Sequence, residues 1–89
     1  MTDQHLSSRN RRTLSRIFQH PMAMNLAWRD VIHLFEALGA HIEHASKDKL
    51  KVALNGVERS FRPHHHKTVS SKAEVVELRH FLEEAGCRP

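Results

Sequence analysis

The residues best suited to chemistry sit in two short basic segments, Ser46-Lys47-Asp48-Lys49 and Arg62-Pro63-His64-His65-His66-Lys67. Histidine takes or gives a proton near neutrality, so it suits general acid or base work. Lysine and arginine hold phosphate and stabilise the charge that develops on it. RNA is cut without a metal when a base takes the 2′-OH proton and an acid protonates the leaving oxygen. Lys47, Lys49, Lys51, Arg62, His65 and Lys67 are the candidate RNA contacts on this pattern. A polar loop of solvated histidines and lysines fits the same residues.

Other chemistries fit less well. His64, His65 and His66 are adjacent, so in an extended segment alternate rings point to opposite sides. Metal sites prefer spaced ligands such as His-x₃₋₅-His or paired cysteines. His41 and His44 have i, i+3 spacing, which helps on a helix but not on the strand expected there. Neither a metal nor a cofactor is expected. The run is internal and short, unlike a purification tag. Cys87 follows a helix end, where the local dipole disfavours a thiolate. The three glycines, at 39, 56 and 86, are too scattered for a phosphate-cradling loop.

Several elements must position the basic segments. Arg9–His20 holds four arginines with Leu14, Ile17 and Phe18, and reads as a short basic helix stopped by Pro21. Trp28, Val31, Ile32, Phe35 and Leu38 recur at helical spacing, which predicts a core-facing helix over 26–38. Asn25 is the expected N-cap and Gly39 the C-terminal stop. Ala40–His44 alternates as a strand. Leu50, Val52 and Leu54 alternate as a second. Asn55-Gly56 is a strong two-residue hairpin turn, and Val57–Arg62 returns as a third strand.

The turn predicts Leu54 opposite Val57, Val52 opposite Arg59 and Leu50 opposite Phe61. Arg59 then falls on the apolar face. Either its head escapes at the sheet edge or a bulge shifts the register. Ser71-Lys72-Ala73-Glu74 is a capping box. It opens a helix with Val75, Leu78, Leu82 and Ala85 on one stripe, ended by Gly86.

The expected fold class is α+β. Two helices cover one face of a three-stranded antiparallel sheet in the order α-β-β-β-α, after a short N-terminal basic helix. Residues 1–21 read as a basic extension and 22–89 as the domain. The other sheet face carries Lys49, Lys51 and Arg62.

Charge supports a polyanionic partner. The 89 residues include 14 Lys+Arg against 10 Asp+Glu, for a net charge of +4. The excess lies in residues 1–20 and 46–67, an electrostatic footprint of the kind nucleic acids attract. Nine histidines add positive charge as pH falls. A single cysteine excludes an intramolecular disulfide and fits a cytoplasmic setting. No stretch approaches the roughly 18 apolar residues of a membrane span, and no signal-peptide core follows Met1.

Three stretches carry a family likeness: "NLAWRDVIHLFEALGAHIE", "KLKVALNGVERSFRPHH" and "KAEVVELRHFLEEAG". Their order and spacing resemble the HicA family of toxin-antitoxin toxins over about residues 22–89. The telling pieces are Trp28-Arg29-Asp30-Val31, Ala37-Leu38-Gly39-Ala40, Arg62-Pro63-His64 and Leu82-Glu83-Glu84-Ala85-Gly86.

The resemblance implies a fold like the double-stranded-RNA-binding domain. It implies an mRNA interferase that arrests translation, and a HicB-like antitoxin as partner. Typical members carry a catalytic histidine in a Gly-Ser-His step entering the second strand. Here Lys47-Asp48-Lys49 stands in its place. The family's Pro-His-Pro step appears as Pro63-His64-His65. On this likeness His64 becomes the candidate catalytic residue, with Lys49 and Arg62 on phosphate. A catalytically inactive RNA-binding or protein-interaction domain of the same fold is the alternative.

Overall fold

The computed structural model describes residues 6–21, 26–45, 49–63, 68–69 and 71–89. The described elements are α1 (Ser8–Phe18), β1 (Leu26–Ala27), α2 (Trp28–Ala37), β2 (His41–His44), β3 (Leu50–Leu54), β4 (Val57–Phe61), β5 (Thr68–Val69) and α3 (Lys72–Glu84). The architecture is α+β. After α1, the helix α2, the antiparallel sheet β2-β3-β4 and the helix α3 follow the expected α-β-β-β-α order. No helix among the described residues is long and apolar enough to cross a membrane.

The β3–β4 hairpin has the register that its turn predicts. Leu54 pairs with Val57, Val52 with Arg59 and Leu50 with Phe61. Asn55 (φ 52°) and Gly56 (φ 83°) both take the left-handed conformation of a type I′ turn. Asparagine and glycine accept it readily; a β-branched residue would not. Pairing is continuous, so no bulge relieves Arg59. Instead its head leaves the inner face, and Nη2 donates to Glu84 Oε1 at 2.8 Å. Asn55 Nδ2 donates to the Ala85 carbonyl at 2.7 Å. Both bonds tie the hairpin to the end of α3.

Both core helices end in the same way. At α2, Gly39 N–H donates to Glu36 and Ala40 N–H to Phe35. At α3, Gly86 N–H donates to Glu83 and Cys87 N–H to Leu82. These paired bonds are Schellman motifs, which satisfy carbonyls that the helix leaves open. Gly86 sits at φ 81°, where a Cβ would be strained. Cys87 follows it and is fully buried. It fills the apolar position that accompanies such a motif.

The start of α3 follows its capping box, with Ser71 Oγ accepting from Glu74 N–H at 3.2 Å. The start of α2 differs from expectation. Leu26 and Ala27 are not helical; they pair with Val69 and Thr68 in a second, two-stranded sheet. Pairing holds Ala27 extended, so α2 begins at Trp28 with Ala27 at the cap position and no side-chain cap. Asn25, the expected cap, lies outside the described residues. Asp30 in the first turn complements the helix dipole.

One core joins the layers. Phe35 of α2, Phe61 of β4 and Phe81 of α3 meet with ring centroids 5.5 to 5.9 Å apart. Trp28 adds a fourth ring, 6.1 Å from Phe61. Val52, Leu78 and Leu82 fill the space around them. The basic helix α1 shares this core through Leu14 and Ile17, both buried. Arg79 of α3 clamps its far end. Nε donates to the Ile17 carbonyl at 2.6 Å and Nη2 to the Gln19 carbonyl at 2.7 Å.

Candidate nucleic-acid interface

A sheet covered by helices on one side turns alternate residues to the other. Leu50, Val52 and Leu54 face the core and are buried. Lys51 and Ala53 therefore face outward, and Lys49 continues the alternation. From β4 come Glu58 and Ser60, with Arg62 just beyond the strand. The order of strands then sets the rows. Glu43, Lys51 and Ser60 align across the sheet, as do His41, Ala53 and Glu58.

Lys49 and Arg62 flank the last paired residues of the hairpin, Leu50 and Phe61, and continued alternation assigns both to the outer face. With Lys51 they place three cations toward one end of the open face. Lys51 and Arg62 are exposed, and Lys49 is half-buried. Cations in this arrangement contact phosphates and position a strand without reading its sequence.

The face is less basic than the β3–β4 hairpin alone implies. Glu43 stands directly opposite Lys51. Residues so paired in an antiparallel sheet bring their Cβ atoms within about 4.5–5.5 Å. Glu58 lies in the neighbouring row. Glu43 was not evident from sequence as a member of this face. Alternation along β2 was visible, but not the register of β2 on β3, which no short turn dictates. His41 and His44 fall on opposite faces of β2, opposite Ala53 and Leu50.

Lys47, His64, His65 and Lys67 lie outside the described residues. The chain on either side of the histidine run is anchored. Phe61 is in the aromatic core, and Thr68 pairs with Ala27 at the start of α2. Trp28 lies next along the chain. Its indole N–H is buried and has no hydrogen-bond partner among the described residues. Among the same residues, no three of His, Cys, Asp and Glu converge into a metal-holding group.

The arrangement gathers Lys49, Lys51 and Arg62 toward one end of a solvent-facing sheet surface. No family model, curated protein or solved structure matches the chain.

Proposed function

We propose that this chain is an RNA-binding protein of the HicA type that acts on mRNA in the cytoplasm to block translation. A HicB-like antitoxin would be its protein partner. The observation that carries the reading is the open sheet face, with Lys49, Lys51 and Arg62 at one end and both core helices on the opposite side. In this reading the three cations hold the RNA backbone. His64 is the proposed acid or base for metal-independent cleavage: one group takes the 2′-OH proton, the 2′-oxygen attacks phosphorus, and the 5′-oxygen leaves protonated.

A second reading is a non-catalytic RNA-binding domain of the same fold. Lys49 favours it, because a lysine stands near the position where the HicA resemblance expects a histidine. One experiment separates the two. Labelled single-stranded RNA is incubated with the protein in EDTA, and binding and cleavage are followed together. Cleavage that falls by about 10²–10⁴-fold in His64→Ala, with binding retained, supports the nuclease. Equal cleavage by that variant removes His64 from the mechanism. Binding without cutting favours the second reading, and no binding overturns both.

A further inference from the structure

We infer that the arginine face of α1 is a second phosphate-binding surface for RNA, apart from the open face of the sheet. The inference rests on the RNA-binding reading and extends it to a part of the chain outside the HicA likeness. Arg9, Arg12 and Arg16 recur at i, i+3 and i+7, a spacing that puts them on one side of the helix. They line an open groove of about 410 Å³ together with Ser8, Thr13 and Asp30.

Three features point to phosphate as the occupant. First, among the described residues the groove's lining holds three guanidinium groups and one carboxylate, Asp30. The pair between Arg9 Nε and Asp30 Oδ1 is 4.0 Å long, with the arginine side chain 71% exposed. Such pairs are weak and give way to a better anion. Second, no apolar side chain lines the groove among the described residues. A protein partner would need an apolar centre to bury, whereas phosphate needs forked, charged donors. Third, α1 is held in place by buried Leu14 and Ile17 and by both bonds from Arg79. Its arginines therefore project from a fixed support.

The comparison with the sheet sharpens this. Lys49, Lys51 and Arg62 share their face with Glu43 and Glu58. Among the described residues the α1 groove has the larger cationic excess, and sequence-independent attraction follows such excess.

The test uses the full chain and a labelled single-stranded RNA, with affinity measured across a salt series. Arg9→Gln/Arg12→Gln/Arg16→Gln is compared with Arg11→Gln/Lys72→Gln/Arg88→Gln, which removes equal charge from exposed positions outside the groove. Thermal melts establish that both variants fold. The groove variant is expected to bind about tenfold or more weakly, with a salt slope flatter by about 2, while the control stays near the parent. Asp30→Asn is expected to bind several-fold more tightly, a gain that misfolding cannot imitate. Equal losses in the groove and control variants overturn the inference, as does an Asp30→Asn variant that fails to gain. Parental affinity in the groove variant removes this surface but leaves the RNA-binding reading standing. A parent that binds no RNA removes both.

Discussion

Arg79 of α3 reaches across to α1 and donates from Nε to the Ile17 carbonyl at 2.6 Å, over 62 positions of sequence. A second donor of the same guanidinium takes the Gln19 carbonyl. The last carbonyls of a helix have no partner within it. Arginine is suited to them because its fork offers two donors in fixed geometry. Hydrogen bonds from charged groups contribute about 1.5–3 kcal/mol each, less where solvent competes. Arg79→Ala is therefore expected to lower unfolding free energy by about 2–4 kcal/mol in denaturant titration. Arg79→Lys should recover only part of it. An unchanged midpoint in Arg79→Ala would show that α1 docks through Leu14 and Ile17 alone.

Asn55 has two roles, and two variants separate them. It accepts the left-handed conformation of the turn, and its amide bonds to Ala85. Asn55→Gly keeps the turn and loses the bond, so it should cost about 1 kcal/mol. Asn55→Ala loses both and should cost about 1–2 kcal/mol more, because alanine is strained at positive φ. If the two variants melt together, the turn tolerates alanine and the argument from φ fails.

Phe81 touches both Phe35 and Phe61. Truncating a buried phenylalanine costs about 3–5 kcal/mol. Small domains have only about 5–15 kcal/mol in total. Phe81→Ala should therefore leave a large unfolded fraction, seen as lost cooperativity in a thermal melt. Phe81→Leu keeps most of the volume and should still fold. A cooperative, parent-like melt for the alanine variant would place the stabilising contacts elsewhere.

Glu43 and Lys51 give opposite expectations for RNA binding. Lys51→Gln removes a proposed phosphate contact and should flatten the salt slope by about 0.7 on single-stranded RNA. Glu43→Gln removes a carboxylate facing that contact and should tighten binding. Lys51→Glu confounds the question, since it sets two carboxylates opposite each other and destabilises the sheet itself. Fluorescence anisotropy over a salt series measures both expectations. Weaker binding by Glu43→Gln would argue that RNA does not lie on this face.

Much of the domain was legible because its signals are local. Asn55-Gly56 specifies one turn type, and that turn specifies the pairing of every residue from Leu50 to Phe61. Ser71 and Glu74 announce the start of α3, and helical spacing marks the inward face of α3 and most of that of α2. In α2, Leu34 is buried outside the expected stripe, and Ile32 and Leu38 are only half-buried. The Arg59 problem was also legible as a problem. Its answer was not, because Glu84 lies 25 positions away. In the candidate interface, Lys49, Lys51 and Arg62 followed from the hairpin alone.

What sequence alone determined, then, is the three helices, the three strands of the main sheet and the pairing across the hairpin. All depend on backbone geometry and periodicity within a few residues. Tertiary structure decided three further things. Pairing of Leu26 and Ala27 with Val69 and Thr68 shortened α2. The register of β2 brought Glu43 against Lys51. Docking through Arg79 made α1 part of the core and fixed its arginines over one groove. Each joins residues through space, where the free energy of burial and pairing outweighs the local preference of either segment.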